Sequence, residues 1–212
     1  MNVQQSYNYW AEQYDTNHNK TRDLEAIALR KTLSNIVFDS VLEIGCGTGK
    51  NTAWLPEKAK QVTAIDLSEE MLGKAKEKIS SAHVEFVQAD ITIGWTFTNR
   101  LYDLVSFSLV LEHIKNLDHI FYEVSKKLKP GGYVYIGELH PFKQYSGTKA
   151  RFETEHGQHI VTCFNHHISE FTRAAKKYEM MPIDIGEYFD DNDETGIPRI
   201  LSILLRNNIS VP

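Results

Sequence analysis

A glycine-rich segment near residue 45 has the composition of a turn that binds a small nucleoside-type cofactor. It reads EIGCGTG over Glu43–Gly49 and overlaps the end of the apolar run Ser40–Gly45. Glycines in such a turn permit positive φ and let the backbone approach a ligand closely. We expect a helix to begin near Thr48 and to direct its free N–H groups toward that ligand. The alternative is an ordinary tight turn between a strand and a helix.

Two acidic residues strengthen the cofactor interpretation. Asp66 ends the apolar run VTAID, about 20 residues beyond the glycines, where an acid can accept both hydroxyls of an adenosine ribose. Its alternative role, capping the next helix, suits Ser68 better. Asp90 ends the run VEFVQAD and could hold an adenine amino group, although an aspartate at a strand end commonly forms a turn.

The elements that must position these residues alternate along the chain. Short runs rich in Val, Ile, Leu, Tyr or Phe predict strands buried on both faces, and helix-like stretches separate most of them. The predicted strands are Ser40–Gly45, Gln61–Asp66, Val84–Gln88, Tyr102–Ser108 and Gly132–Glu138. The predicted helices are Asp23–Asn35, Ser68–Ile79, Leu117–Leu128 and, approximately, His166–Met180. This spacing predicts an α/β fold with a parallel sheet and helices on both faces.

The last third of the chain has a different pattern. Residues 139–165 show no clear periodicity. Two strand-like runs, Pro182–Tyr188 and Arg199–Arg206, follow the last predicted helix, and an acidic loop joins them. We expect these two strands to be antiparallel neighbours at an edge of the sheet.

Composition and charge argue against several classes of protein. The chain has 212 residues, enough for one domain with a substantial core, and its net charge of −5 disfavours nucleic-acid binding. It has two cysteines, one of them inside the glycine-rich turn, which argues against a structural disulfide and favours the cytosol. There is no run of roughly 18 apolar residues and no apolar amino-terminal segment, so we expect neither a membrane span nor a secretory signal.

The order of the motifs resembles that of class I S-adenosylmethionine-dependent methyltransferases. The similarity rests on VLEIGCGTGKNT, VTAIDLSEEML, VEFVQADI, YDLVSFSLVLEHI and LKPGGYVYIGE, in that order over residues 40–138. The amino-terminal YNYWAEQYD resembles the family's capping segment, whose tyrosines close over the cofactor. An NAD site fits less well, because its G-x-G-x-x-G fingerprint places the third glycine one residue later.

The resemblance implies a single doubly wound, seven-stranded, mostly parallel sheet of the Rossmann-like methyltransferase type, whose last strand is antiparallel. We expect one methyltransferase domain over residues 1–212. It would comprise a helical cap at 1–36, a cofactor-binding core at 37–138, an acceptor-binding lid at 139–165, and a helix with a β-hairpin at 166–212.

The resemblance also implies a role for each matching position in binding S-adenosylmethionine, whose product is S-adenosylhomocysteine. Gly45 and Gly47 would lie against the amino-acid part, Glu43 would organise the turn, and Asp66 would hold the ribose. The remaining contacts fall into three groups: Leu67, Met71, Asp90 and Ile91 around the adenine, Ser108 and Leu109 along the methionine moiety, and Tyr14 closing over the cofactor.

Methyl transfer to an O–H or N–H⁺ group also needs a base near the carboxyl ends of the strands. His140 follows the fifth strand and is our first candidate, because imidazole titrates near neutrality. A histidine hydrogen-bonded within a loop is an equal alternative. Glu138 could orient His140 or act directly, or be a solvated acid at a strand end. His113, after the fourth strand, is the third candidate, although similar proteins mostly use this position structurally.

Residues 139–165 are expected to bind the methyl acceptor, because loops of this length are usually functional. Phe142, Tyr145, Arg151 and Phe152 offer aromatic surface and one cation, which suit a flat or anionic small molecule. The alternative is simple packing of this insertion onto the edge of the sheet.

No metal is expected at the two features that suggest one. His166 and His167 are adjacent, so their side chains point apart on a helix. The acidic cluster Asp190–Glu194 lacks the glycine and the terminal glutamate of a calcium loop.

These observations predict in-line methyl transfer to an O, N or C atom of a small molecule, by a cytosolic monomer or homodimer. Two alternatives remain open: a non-catalytic module that binds S-adenosylmethionine, and a protein or RNA methyltransferase on the same core. The acidic charge and the sequence SFSL at 106–109, in place of an Asn-Pro-Pro-Tyr-type tetrad, argue against the second alternative.

Overall fold

The computed structural model describes residues 1–16, 18–155 and 157–208, in which strands and helices alternate. The strands are β1 (Ser40–Ile44), β2 (Gln61–Asp66), β3 (Val84–Gln88), β4 (Tyr102–Ser108), β5 (Leu128–Leu139), β6 (Arg151–Thr154), β7 (Gly157–Ile160), β8 (Met180–Tyr188) and β9 (Ile200–Asn207). The helices are α1 (Val3–Tyr14), α2 (Lys20–Leu33), α3 (Glu69–Lys78), α4 (Leu117–Ser125), α5 (Pro141–Tyr145) and α6 (Ile168–Lys176).

Seven of the strands form one sheet in the order β3-β2-β1-β4-β5-β9-β8. The first five are parallel, whereas β9 lies antiparallel between β5 and β8. The predicted mostly parallel sheet with an antiparallel last strand is therefore confirmed. The strand order reverses direction between β1 and β4, which opens a crevice at their carboxyl ends where doubly wound folds bind ligands.

Alternate residues of the central strands bury on opposite faces of the sheet. Leu42 and Phe107 pack on one face with α4 and α6, while Val41 and Leu104 pack on the other with α2 and α3. Strands covered on both faces consist almost wholly of apolar residues, which is why their sequences have no polar alternation. These two cores fix the strand ends that carry the crevice.

The helix expected near Thr48 is absent. The chain instead makes isolated turns and one short 3₁₀ turn at Leu55–Glu57. Gly49 has φ of +85°, which no right-handed helix allows, and Pro56 has no N–H to donate to a preceding carbonyl. In this turn the N–H groups of Gly45 and Cys46 donate to the carbonyl of Ile65, and the N–H of Gly49 donates to the carbonyl of Cys46.

Residues 139–165 are more regular than their sequence indicated. They contain α5 and a separate two-stranded antiparallel hairpin of β6 and β7. Each strand of this hairpin has only four residues, too few to give a recognisable period in the sequence.

Within the described ranges, the helices lack the length and apolar character needed to span a membrane.

Candidate functional site

A cavity of about 380 Å³ opens at the carboxyl ends of β1, β2 and β4, and α1 covers one side of it. This volume lies within the usual range for small-molecule sites. Nine of the eleven predicted cofactor residues line it: Tyr14, Gly45, Gly47, Asp66, Leu67, Asp90, Ile91, Ser108 and Leu109. The structure thus brings together residues from five separate segments of the sequence.

The glycine-rich turn fits closely against its surroundings. Gly45 and Gly47 have φ of +71° and +54°, a region that side chains disfavour. A Cβ on Gly45 would lie 2.0 Å from Cγ2 of Val110, whereas a Cβ on Gly47 would meet only Cε1 of Tyr14, at 4.0 Å. Gly45 is therefore required by the protein's own packing, and the space beside Gly47 is open to a ligand.

Asp66 links the turn to the start of α3. Its Oδ2 accepts the N–H of Gly47 at 2.8 Å, and its Oδ1 accepts the N–H of Ser68 at 2.8 Å. Burial raises the pKa of Asp66, while these backbone donors act in the opposite direction. A carboxylate has about four lone-pair sites, so each oxygen retains capacity for a ligand hydroxyl. Ser68 caps α3 as expected, because its Oγ accepts the N–H of Met71.

Asp90 forms the turn that its place at a strand end suggested, and its role toward an adenine stays a prediction. It lines the cavity, and its Oδ1 also accepts the N–H and the hydroxyl of Thr92, at 2.8 and 2.6 Å. Leu109 follows β4 with φ of +56°, an uncommon conformation for leucine. Its N–H donates to the carbonyl of Gly137 at 2.8 Å, which holds this residue at the cavity wall.

Two predicted cofactor residues lie behind the cavity rather than on its wall. Met71 is fully buried and packs in a cluster with Trp10 and Ala11 of α1. Glu43 is buried beneath the turn, where its Oε2 accepts the hydroxyl of Thr52 at 2.6 Å. Glu43 therefore contacts the segment after the turn, Met71 packs against α1, and the role of Glu43 in organising the turn stays a prediction.

Burial, against the opposing hydrogen bond from Thr52 and with the help of the neighbouring Glu25 and Asp66, raises the pKa of Glu43 from its usual value near 4.5 to about 8. Between those values the folded protein keeps a proton that the unfolded chain has lost, so stability must fall as pH rises. We expect the free energy of unfolding to decrease between pH 5 and 8, and Glu43→Gln to flatten this slope. Urea unfolding at several pH values measures it, with the exposed Glu194→Gln as control. Parallel slopes in Glu43→Gln and wild type would contradict the assignment.

His113 is the one predicted base that lines the cavity. Its Nδ1 lies 2.7 Å from the carbonyl oxygen of Thr162, and its Nε2 lies 2.8 Å from the hydroxyl of Tyr7. Because a carbonyl only accepts, Nδ1 carries the proton, and Nε2 accepts from the hydroxyl of Tyr7. Burial raises the pKa of Tyr7 well above its usual value, so this phenol stays protonated. The pair is thus an imidazole hydrogen-bonded to a phenol at the cavity wall.

His140 requires a correction. Its side chain is fully buried and is absent from the cavity wall. Nδ1 accepts the N–H of Phe142 at 3.2 Å and so caps α5, which leaves Nε2 to donate to Oε1 of Glu187 at 2.9 Å. Burial lowers the pKa of His140, although Glu187 opposes the shift. The alternative of a histidine hydrogen-bonded within the structure therefore describes it.

Glu138 also lies away from the cavity and is not a solvated strand-end acid. It is 1% exposed, and its carboxylate accepts the N–H groups of Val110, Leu111 and Glu112 at 2.9, 2.8 and 3.3 Å. Burial raises its pKa to about 8. Glu138 thus fixes the short turn after β4 that carries His113, and it acts by positioning this turn.

The predicted acceptor residues are distributed over three places. Phe142 and Tyr145 are 54% and 49% exposed on α5, and the hydroxyl of Tyr145 contacts Nδ1 of His167. Phe152 is buried in a stack on Trp10. Only Arg151 lines a cavity, and it is a second one. The prediction that these four residues form one acceptor surface is therefore not supported.

This second cavity has a volume of about 300 Å³ and adjoins the first. Both are lined by Tyr7, Tyr14 and Leu109, so these residues mark the junction. Sequence reasoning missed most of the second cavity, including its basic side chains at Lys20, Arg22, Lys149 and Arg199. They come from distant segments and form no motif, so no local signal could have identified them.

The two adjacent histidines have separate partners, as their spacing indicated. His166 contacts Glu170 and the carbonyl of Ile114, whereas His167 contacts Tyr145. A different group of possible ligand atoms, from Glu112, His113 and Cys163, lies within 4.8 Å of one another. In this group Nδ1 of His113 donates to the Thr162 carbonyl and lies 3.8 Å from Sγ of Cys163.

The sequence of this chain is similar to a family model and to known methyltransferases. Residues 42–136 match the family model described as a methyltransferase domain. A malonyl-[acyl-carrier protein] O-methyltransferase of Marinomonas sp. is 32% identical over 144 residues, which cover 65% of this chain and 53% of that protein. An uncharacterised methyltransferase of Emericella nidulans is 25% identical over an alignment covering 86% of this chain and 78% of that protein.

Two solved structures are also similar to this chain in their fold. A crystal structure from Listeria monocytogenes, provisionally assigned as a S-adenosylmethionine-dependent methyltransferase, aligns with a TM-score of 0.74 and 25% identity, covering 87% of this chain and 98% of that one. The DhpI–SAH complex aligns with a TM-score of 0.76 and 24% identity, covering 97% and 95%, and so supports the fold.

The chain spans about half the length of the malonyl-[acyl-carrier protein] O-methyltransferases it matches. The match to the methyltransferase-domain model begins in β1 and ends in β5. The glycine-rich turn, the acids after β2 and β3, and the cavity they line all lie in or beside this segment. Residues 42–136 therefore match a methyltransferase domain, in a chain whose fold is similar to that of S-adenosylmethionine-dependent methyltransferases.

Proposed function

We propose that this protein transfers the methyl group of S-adenosylmethionine to an O, N or C atom of a small molecule. The observation that carries the proposal is the pair of adjoining cavities, one lined by the cofactor motifs and one beside it. A methyltransferase needs such a pair, because donor and acceptor must meet in line at about 3 Å with water excluded. The junction at Tyr7, Tyr14 and Leu109 is where the methyl group would pass.

Each residue of the first cavity has a role in this proposal. Gly45 and Gly47 bring the backbone against the amino-acid part of the cofactor, with Ser108 and Leu109 beside the methionine chain. Asp66 accepts the ribose hydroxyls, while Leu67, Asp90 and Ile91 surround the adenine. When bound, S-adenosylmethionine supplies an activated methyl group on a sulfonium. The open space at Gly47 and the spare lone pairs of Asp66 suit these parts of it.

His113 and Tyr7 would manage the acceptor's proton. The oxygen of Tyr7 has free lone pairs at the junction, and its own proton points to Nε2 of His113. As the new methyl bond forms, the acceptor's proton can pass to the Tyr7 oxygen while the phenolic proton passes to His113. Glu138 contributes by fixing the turn that carries His113.

Several observations favour a small acceptor. The second cavity is small, at about 300 Å³, and the chain's net charge of −5 disfavours a polyanion. The matched O-methyltransferases favour an oxygen acceptor. Two free cysteines suit a cytosolic location. We propose further that residues 1–212 act as one domain, as a monomer or a homodimer.

The proposal is tested by two measurements on the whole protein. Calorimetry should show binding of S-adenosylmethionine and S-adenosylhomocysteine. Incubation of a metabolite extract with methyl-labelled cofactor, followed by mass analysis, should show a labelled small molecule. Tight cofactor binding without label in any acceptor would instead favour the non-catalytic binding module. Label in protein or RNA alone would favour the macromolecular alternative.

Once an acceptor is identified, His113→Ala is expected to lower kcat by about a hundredfold or more, because general base catalysis contributes that much. Its affinity for the cofactor, measured by calorimetry, should change much less. Tyr7→Phe should give a similar loss, since it breaks the same relay. The exposed His83→Ala serves as the matched control. A His113→Ala variant with wild-type kcat would remove this pair from the mechanism.

A further inference from the structure

We infer that the second cavity binds an anionic group of the methyl acceptor, a carboxylate or a phosphate, and anchors it while another atom is methylated. This inference rests on the proposed function and extends it to the class of acceptor. Five Lys or Arg residues line this small cavity, in a chain whose net charge is −5: Lys20, Arg22, Lys149, Arg151 and Arg199. A cleft lined by one sign of charge concentrates ligands of the opposite sign.

The negative charge within the cavity does not balance these cations. Glu112 is the one carboxylate among its described lining residues, and burial raises the pKa of Glu112. Two acids just outside the lining pair with two of the cations. Arg199 donates to both oxygens of Asp190, and Lys20 lies 3.7 Å from Asp191. Those two cations are therefore largely neutralised.

Lys149 and Arg151 keep their charge for a ligand. Lys149 and Arg151 have no carboxylate partner in the part of the chain that the structure describes. The guanidinium of Arg22 lies over the ring of Tyr14, 3.9 Å from its centroid, and donates to the Tyr14 carbonyl. A planar guanidinium held against an aromatic ring is well placed to bind a carboxylate or phosphate oxygen.

The start of α2 does not itself provide an anion site. The side chain of Asn19 already accepts the N–H groups of Thr21 and Arg22 at 3.0 and 3.1 Å. The attraction must therefore come from the side chains. Arg22 lies at the junction because it covers Tyr14, which lines both cavities, while Lys149 lies just before β6 and Arg151 is the first residue of β6.

This arrangement separates two functions of the acceptor. Its anionic group would lie among the cations, and the atom that receives the methyl group would lie at the junction beside Tyr7. An acceptor bound this way needs both ends, so it should contain an anionic group and a separate nucleophile. The cavity volume of about 300 Å³ is at the lower end for ligand sites, which limits the acceptor to a small molecule.

The first test divides a metabolite extract by anion exchange into a retained, anionic pool and an unretained pool. Each pool is incubated with the whole protein and methyl-labelled S-adenosylmethionine. We expect the label in the anionic pool. Label confined to the unretained pool would overturn the inference while upholding the proposed function. No label in either pool, from protein that binds the cofactor, would overturn both.

A phosphatase arm identifies the source of the charge. Treatment of the anionic pool with phosphatase before the reaction should abolish labelling if the anion is a phosphate ester. Unchanged labelling assigns the anion to a carboxylate. Either result agrees with an anionic anchor, because the pool itself is defined by charge.

A variant test places the anchor in the second cavity. With the active anionic pool, Lys149→Met combined with Arg151→Met should raise the apparent KM at least tenfold and change kcat and cofactor affinity little. The matched control is Arg30→Met combined with Lys176→Met, two exposed cations outside this cavity. Retained cofactor binding shows that the variant is folded. An unchanged KM in that folded variant would overturn the inference.

Discussion

Asp66→Ala should weaken binding of S-adenosylmethionine by at least about tenfold, the loss expected when a charged acceptor of ligand hydroxyls is removed. Asp66 is half-buried at the cavity, and each of its oxygens already holds one backbone N–H. The variant therefore loses the contact to the ribose and also the link between the turn and α3. Calorimetry measures the loss, with the exposed Asp184→Ala in β8 as control.

These two losses can be separated with a modified ligand. S-adenosylhomocysteine and its 2′-deoxy analogue differ by one ribose hydroxyl. Wild type should bind the deoxy analogue more weakly, whereas Asp66→Ala should discriminate little between the two, because its partner for that hydroxyl is gone. Equal discrimination by both proteins would show that Asp66 acts only on the turn. Unchanged affinity in Asp66→Ala would remove the ribose assignment altogether.

The donor half of the site could be predicted because its signals are local. The glycine-rich turn lies at the end of one strand, and Asp66 and Asp90 lie at or just beyond the ends of the next two. The carboxyl ends of parallel strands meet at one edge of the sheet, so finding the strands is enough to bring these residues together. The observed cavity wall follows from that rule.

His140 shows where this rule stops. It does follow β5 at the correct edge of the sheet, but the position of a residue does not determine the direction of its side chain. The ring turns to cap α5 and to reach Glu187, which is 47 residues away in the sequence. Such a partner in the last hairpin leaves no local signal. The ring of His113, in contrast, does line the cavity, because the turn that Glu138 fixes directs it there.

The acceptor half was hard to predict for a related reason. Its basic side chains come from the start of α2, from the segment before β6, and from the residue before β9. Each taken alone is an ordinary surface cation, and only the folded chain brings them together. Phe142 and Tyr145 do not form the expected acceptor surface, because α5 turns both rings outward.

Gly45→Ala tests the packing of the turn and is expected to have the largest effect on the fold. An L-residue at φ of +71° costs about 1–2 kcal/mol, and the new Cβ would lie 2.0 Å from Cγ2 of Val110. Overpacking of this kind adds about 1–3 kcal/mol. We expect the free energy of unfolding to fall by about 2–5 kcal/mol, with a large loss of cofactor affinity as the turn moves.

Gly131→Ala is the matched control for this experiment, because Gly131 has φ of +72° but open space where its Cβ would be. In Gly131→Ala the free energy of unfolding should fall only by the cost of placing an L-residue at positive φ, about 1–2 kcal/mol. The affinity of this variant for the cofactor should be unchanged. Adding Val110→Ala to Gly45→Ala removes the closest atom and should recover part of both losses. The remaining Cβ of residue 110 would still lie 3.3 Å away, so recovery should be incomplete. If Gly45→Ala were no worse than Gly131→Ala, the close contact between the turn and the segment after β4 would be refuted, and with it the reason why this position must be glycine.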